Sequence, residues 1–298
     1  MASFRNKLFS FFYLCLFLIL SCGLLQSMRG GSANIVLSGQ RGTQDALTQK
    51  TNKSYIELTI DTLKKLITWD WGKTIYKKPI NKILWQAIKI TGIVAIMASL
   101  FSLIVGITFG FLASIYEHLS SIIQKTSFML LSFPVFIIAI LLISVFSISL
   151  GLMPPGGIEH PLWFILPAIA LGLKASARIT LFFIDFRKIE EKKPYLELLK
   201  LYDISKVKYL LFNLFPNIAL PIISLWLIEF SSFLAGAAIT EVLFSLPGLG
   251  FLLLKSIKSY DINLLLSVIF TSAFSIFFIS QLQQSLENFL SKKKAGLA

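Results

Sequence analysis

The chain has 298 residues, of which 55% are hydrophobic and only 14% charged, and it carries a formal net charge of +13. With a mean hydropathy of +0.77 and its charges clustered between long uncharged runs, it is not the composition of a soluble globular domain. The basic excess is not arranged on an aromatic-studded soluble face, so it points to loops beside anionic headgroups rather than to nucleic acid.

A hydrocarbon core about 30 Å thick takes roughly 20 residues of helix. Six runs meet or approach that length: Leu8–Leu25, Ile83–Tyr116, Ser127–Leu150, Leu162–Ile184, Ile218–Phe244 and Ile262–Phe289. Alternating ten-residue segments are missing, which argues against a transmembrane β-barrel. The expected fold is therefore an all-α polytopic membrane protein with six transmembrane helices.

The first run follows a short basic stretch and also reads as a signal peptide, with Ile19-Leu20-Ser21-Cys22 loosely like a lipoprotein cleavage site. Leu20 fits poorly where a small residue is preferred, and the run is long enough to span. Residues 1–26 are therefore expected to be a retained anchor helix. Cys15 and Cys22 both lie in it, and without a second pair they imply neither a disulfide framework nor a metal site.

Residues 27–82 are expected to lie outside the membrane, beginning with the polar stretch GGSANIVLSGQRGTQDALTQKTNKS. In SYIELTIDTLKKLITWDW, the spacing of Ile56, Leu58, Ile60, Leu63, Leu66 and Ile67 predicts a short amphipathic helix on the outer surface. Trp69, Trp71 and Trp85 suit the headgroup level. Gly72-Lys73-Thr74 resembles the end of a phosphate-binding loop, but Ile67 stands where that motif requires glycine and no strand precedes it. No ATP site is expected in this chain.

With both termini inside, the short inner pieces hold Arg5 and Lys7, then Lys125, then seven Lys/Arg between Arg187 and Lys208, then Lys292–Lys294. The short outer loops, Gly151–Pro161 and Ser245–Asp261, hold only Lys255 and Lys258, in agreement with the positive-inside rule. Residues 27–82 are basic yet outside, an exception that loops near this length tolerate. This divides the chain into an anchor (1–26), an external segment (27–82), a transmembrane domain (83–291) and a basic cytoplasmic tail (292–298). Within the spans, Gly106 and Gly110 form a small-xxx-small pair for close helix approach, while Pro134, Pro167 and Pro221 are expected to kink their helices.

The loop Asp185–Asn217 is the only sizeable inner element. Tyr195–Ser205 alternates Leu196, Leu198, Leu199 and Leu201 with Glu197, Lys200 and Asp203, as a short surface helix across the mouth of a bundle would. Farther on, Glu229 sits mid-span in LWLIEFSSF and Glu241 stands near the outer end. A carboxylate in the membrane demands a partner, and Lys174 is the candidate for Glu229. Ser231 and Ser232 are placed to line the same face as Glu229. Pro247–Gly250 (PGLG) reads as a turn, followed by a short surface helix in FLLLKSIKSYD.

The segment YLELLKLYDISKVKYLLFNLFPNIALPI resembles the cytoplasmic coupling loop of ABC importer permeases, and AGAAITEVLFSLPGLGFLLLKSIKSYD resembles the block that follows it in the dipeptide/oligopeptide/nickel permease family. WDWGKT, LLSFPVF, LGLMPPGG and LPAIALGL fall in that family's order, so the likeness covers roughly Thr68 to Phe289. The coupling loop departs from the pattern: Leu198, Leu199 and Leu201 fill small-residue positions and Asp203 takes the place of a glycine. Span four carries Lys174 and Arg178 rather than the arginine expected near its inner end.

The resemblance implies half of an ATP-driven importer of peptides or a similar small solute, working by alternating access in a bacterial inner membrane. It implies a second, similar permease subunit, two ABC ATPase subunits and an extracytoplasmic solute-binding lipoprotein as partners, with membrane lipid around them, and no cofactor. Tyr195, Leu196, Glu197, Leu198, Leu199, Leu201, Asp203 and Ser205 would couple to the ATPase. Glu229, Ser231 and Ser232 would line the path, and Glu241, Pro247, Gly248 and Gly250 would form an outer gate or docking surface. Catalytic chemistry is not expected, since His118 and His160 lie at opposite faces and no nucleophile–base grouping is evident. Two other readings are a stand-alone secondary transporter or channel, with Glu229 and Lys174 as ion relays, and a transport-inactive assembly protein that keeps the fold. Against the former stands the missing internal repeat.

Overall fold

The computed structural model describes residues 64, 68, 70–158, 161–199, 204–259 and 261–295. The expected anchor helix with Cys15 and Cys22, most of the amphipathic segment before Asp70, His160, Leu201, Asp203 and the end of the basic tail lie outside these residues. The described residues form helices α1 (Ile80–Ile115), α2 (Glu117–Ser132), α3 (Val135–Leu142), α4 (Ile165–Glu190), α5 (Pro194–Leu199), α6 (Phe215–Leu243), α7 (Leu249–Lys258) and α8 (Ile262–Ala295). A π-helical turn, Ile143–Ser149, extends α3, a 3-10 turn, Pro161–Phe164, leads into α4, and a helical stretch from Lys206 through the π-turn Tyr209–Leu214 runs into α6. The described residues fall into two compact units, one within Met1–Ile88 and Gly248–Phe278, the other within Lys89–Pro247 and Ile279–Ala298.

Among the described residues, four helical segments are long and apolar enough to cross a membrane: Ile80–Ile115, Leu162–Glu190, Lys206–Leu234 and Ile262–Asn288. A fifth is formed by α2 and α3 if that pair is one broken span. These correspond to five of the six apolar runs in the sequence. All five overrun an apolar limit at one end. α4, for example, continues past Ile184 to Glu190 because charged residues end a hydropathy run without ending a backbone hydrogen-bond ladder.

In the larger unit α4 is the helix around which α2, α3 and α6 pack. Between lipid-embedded helices there is no hydrophobic drive, so association rests on close van der Waals fit and small residues. α1 shows the division of labour. Ile93, Ile96, Leu100 and Ile104, spaced along one stripe, are 43–65% exposed, whereas Thr91, Ala95, Ala98, Ser99 and Ser102 on the opposite side are at most 2% exposed. The expected close approach is there. A Cβ on Gly106 would lie 2.7 Å from the Ile179 side chain, and one on Gly110 would lie 2.6 Å from the Phe183 ring.

The three prolines differ. Phe133 (ψ 133°) and Pro134 (ψ 142°) are both extended, as the ring of a proline enforces on its predecessor, and the chain bends by 102° between α2 and the α3 segment. That is a break, sharper than the expected kink. Pro167 falls in the first turn of α4, where a missing N–H costs no hydrogen bond, so the helix is not interrupted there. Pro221 lies inside α6, which continues through it.

α6 ends in a Schellman motif. Leu246 N–H donates to Glu241 O at 2.8 Å and Ser245 N–H to Val242 O at 3.2 Å, with Ser245 left-handed at φ +52°. Gly157 N–H donates to the Phe244 carbonyl at 3.2 Å, which docks the LMPPGG loop on this cap.

In the smaller unit, Trp71 to Pro79 makes a tight reversal: Thr74 N–H donates to Lys78 O at 2.8 Å and Ile80 N–H to Gly72 O at 3.0 Å. Gly72-Lys73-Thr74 is thus part of a turn, not a phosphate loop opening a helix. Asp261, 2% exposed, caps α8 by accepting from Leu264 N–H (3.1 Å), and its second oxygen accepts from Ile75 N–H (2.9 Å). Trp71 stacks obliquely on Phe270 at 5.8 Å in the core of this unit.

Thermal unfolding of three variants in detergent tests this packing. Gly110→Ala is expected to cost about 1–3 kcal/mol by overpacking against Phe183, whereas Gly92→Ala, with open space around it, leaves the melting temperature unchanged or raised. Ser245→Gly is expected to stabilise by about 1 kcal/mol, since glycine accepts the left-handed cap without strain. A lower melting temperature for that variant would contradict the cap assignment.

Candidate functional site

Two constellations stand out in the larger unit, both built on α4. The first is at its C-terminal end. Glu190, 7% exposed, accepts from Lys193 Nζ at 2.8 Å and from the Tyr195 hydroxyl at 2.8 Å. The turn between α4 and α5 is closed by Lys193 N–H to Glu190 O (3.0 Å) and Leu196 N–H to Lys193 O (3.0 Å). Pro194 opens α5, where its fixed φ suits a first helical residue. Burial and, after it, the hydrogen bond and charge of Glu190 push the Tyr195 phenol up to about 12, so it keeps its proton and stays a donor through the neutral range.

Leu196 is fully buried in a cluster with Phe183, Leu210, Leu214 and Ile218. Phe111, Phe183 and Phe215 stack beside one another there, with centroids 4.9 and 5.3 Å from Phe111. One leucine thus seats α5 on the bundle, while Tyr195 is 46% exposed. Glu197, Leu198 and Leu199 complete α5. Ser205 does not belong to that helix: it is extended (φ −55°, ψ 139°) and precedes the next helical stretch. The loop expected over Asp185–Asn217 is accordingly shorter, because α4 reaches Glu190 and helix resumes at Lys206.

Arg187, in the last turn of α4, donates to the Ser114 carbonyl of α1 at 2.9 Å. The end of this span therefore does carry an arginine, which the shorter apolar run left in the loop. Lys206 and Glu117 pair at 3.2 Å on the surface, a contact of little energetic weight.

The second constellation is midway along α4. Glu229 of α6 is 4% exposed and forms an ion pair with Arg178 of α4. The expected partner, Lys174, is one turn away and half-buried. Residues four apart share a helix face, so the sequence did not separate the two cations. Ser231 turns away from the Glu229 face, whereas Ser232, three residues on from Glu229, stays within about 60° of it. Ser231 is half-buried and donates to Leu227 O (3.2 Å) and toward Gln283 of α8 (3.4 Å), whereas Ser232 is exposed and bonds only its own helix at Ile228 O (3.1 Å). At 100° per residue, positions 229 and 231 point to nearly opposite sides.

Glu241 is fully buried and accepts from Thr91 Oγ1 of α1 at 2.6 Å. Of the turn, Pro247 ends the first segment of the larger unit and is half-buried. In the smaller unit Gly248 is the extended N-cap of α7 (φ −85°, ψ −173°), and Gly250 lies in its first turn. Thr91, Arg187, Glu190 and Asp261 were not singled out from the sequence. Asp261 could have been found as a cap before an apolar run; the others have no local signature. Among the described residues there is no grouping of three His, Cys, Asp or Glu side chains that would hold a metal.

Residues 102–292 match the family model described as binding-protein-dependent transport system inner membrane component. The dipeptide transport system permease protein DppB of Bacillus subtilis is 27% identical over 234 residues, covering 74% of this chain and 75% of that protein. The oligopeptide transport system permease protein AppB of the same organism is 26% identical over 227 residues, covering 71% of each. The glutathione transport system permease protein GsiC of Escherichia coli is 28% identical over 175 residues, 56% of this chain and 55% of that one. Among solved structures, an inward-facing conformation of the MetNI methionine ABC transporter has the same fold, with a TM-score of 0.58 at 14% identity over 69% of this chain and 95% of that one.

Removing one member of a buried ion pair leaves the other uncompensated. Arg178→Ala is expected to cost about 2 kcal/mol, less than a fully buried pair would because the Arg178 side chain is half-exposed. Glu229→Gln should restore part of that loss in the double variant. Additive losses in a thermal-unfolding cycle would show that the two side chains do not interact.

Proposed function

The chain belongs to the family of binding-protein-dependent transport system inner membrane components, and from that membership we propose that it is half of the translocation path of an ATP-driven importer. It is a membrane protein of a permease family, not of a catalytic one. The cargo is a peptide or a similar small solute, in line with relatives named for dipeptides, oligopeptides and glutathione. A second permease subunit completes the path, two ABC ATPases bind its inner face, and a solute-binding lipoprotein delivers cargo outside. The setting is a bacterial inner membrane, with six spans and both termini inside.

The observation that carries this reading is the seating of α5. It is a short helix tied to the end of one span through Glu190 and plugged by Leu196 into the cluster beneath the next. A push on α5 by an ATPase would reach α4 and α6 together. That is the mechanical requirement for switching a bundle between two accessible states, because a packed interface passes on displacement rather than absorbing it. In this scheme Tyr195, Leu196, Glu197, Leu198, Leu199, Leu201, Asp203 and Ser205 make up the coupling segment. Glu229 with Arg178 braces the path, with Ser231 and Ser232 facing neighbouring helices or the partner subunit. Glu241, Pro247, Gly248 and Gly250 shape the outer end.

The test is assembly and uptake. Co-expressed with its partner subunits, the double variant Leu199→Arg/Asp203→Lys is expected to lose most co-purifying ATPase and most ATP-driven uptake, with the permease still monodisperse. Full binding and full uptake would remove the coupling role from this segment. An intact ATPase complex without uptake would favour the transport-inactive reading, for which the leucine-filled loop and Asp203 are the motive.

A further inference from the structure

The Glu229–Arg178 pair leaves one charge over. Lys174 and Arg178 lie four residues apart on α4 and therefore on one face, and among the described residues Glu229 is the one carboxylate paired with this face, through Arg178. Lys174 makes no hydrogen bond or ion pair among the described residues. The three groups together carry one net positive charge.

Depth makes that charge significant. Lys174 lies twelve residues after Leu162 and sixteen before Glu190, the ends of the membrane-crossing segment. At 1.5 Å per residue that is about 18 and 24 Å from the two ends. Snorkelling serves lysines close to a helix end, so an ammonium this deep has to meet water or protein rather than lipid. Lys174 is half-buried, and the Arg178 side chain remains 46% exposed after pairing with Glu229. A guanidinium has five N–H donors, and one carboxylate oxygen does not exhaust them. The stripe continues one turn further through Leu181, also half-buried.

We infer that Lys174 and the free edge of Arg178 form a cationic subsite on the aqueous path, which takes the carboxylate of a carboxylate-bearing solute. The inference rests on the importer reading and narrows its cargo. Glu229 holds Arg178 in place and cancels one of two charges, so the subsite attracts a single carboxylate without trapping it. Peptides and other organic acids present such a group. A free metal cation would be repelled.

The experiment is charge-selective labelling of Leu181→Cys in the full chain co-expressed with its partner subunits, with Cys15 and Cys22 replaced by serine. The probes are an anionic and a cationic methanethiosulfonate of similar size. The anionic reagent is expected to react faster. Lys174→Gln, which removes one charge about 10 Å away along the helix, should lower the anionic-to-cationic rate ratio about fourfold. Lys174→Arg should keep it, and it serves as the folded reference should the glutamine variant assemble poorly. Equal rates, a faster cationic reagent, or no reaction with either probe would overturn the subsite. A partner carboxylate already neutralising Lys174 would show as a ratio unmoved by Lys174→Gln, and would overturn it as well. ATP-driven uptake is measured on the same assemblies. Uptake without charge preference sinks the subsite alone, and charge preference without uptake sinks the importer reading alone.

Discussion

Close contact along α4 is the constraint on which the larger unit depends. Gly172, Ala168, Ala170, Ala175, Ser176 and Ala177 are small residues on this helix, and Gly106 and Gly110 of α1 meet Ile179 and Phe183 with no room for a side chain of their own. In a medium as apolar as the side chains themselves, such fit is what holds helices together. It also makes α4 stiff: a helix enclosed on most sides has little freedom to bend locally, and one unbroken helix joins Glu190 to Arg178, twelve residues and about 18 Å up the same rod.

That stiffness gives the two constellations a common logic. At the end of α4, Glu190, Tyr195 and Leu196 seat a short helix against the cluster around Phe183. Midway along, Arg178 crosses to Glu229 on α6. α6 begins in the same cluster through Phe215 and Ile218, directly after Leu214. The seated helix and the ion pair are thus joined by two routes, one through α4 and one through α6. A coupling device needs such a connection, and a solvated loop would not supply it.

Much of this could be read from the chain itself, though unevenly. Five apolar runs marked five helical segments because roughly 20 uncharged residues have few other uses. The GITFG pair announced its close contact, and Pro134 announced a bend, though not one of 102°. Helix ends were less legible. Hydropathy stops at Asp185 while the backbone ladder continues to Glu190, which is how Arg187 was left in a loop. Pairing in three dimensions was the least legible. Lys174 and Arg178 share a face, and only the crossing of α4 and α6 decides which meets Glu229. Neighbours in sequence misled in the same way at Ser231, which the helical twist turns away from Glu229 and toward Gln283.

The claim at the centre is that α5 is where an ATPase grips this subunit. The most direct measurement is oxidative cross-linking in the assembled transporter, with a single cysteine at Glu197 on α5, another on the ATPase surface, and Cys15 and Cys22 replaced. A grip at α5 gives a permease–ATPase cross-link that forms readily from Glu197→Cys, changes in yield when ATP is added, and is missing from Ser232→Cys on α6. A complex that stays assembled and active yet yields no cross-link from Glu197→Cys would contradict it.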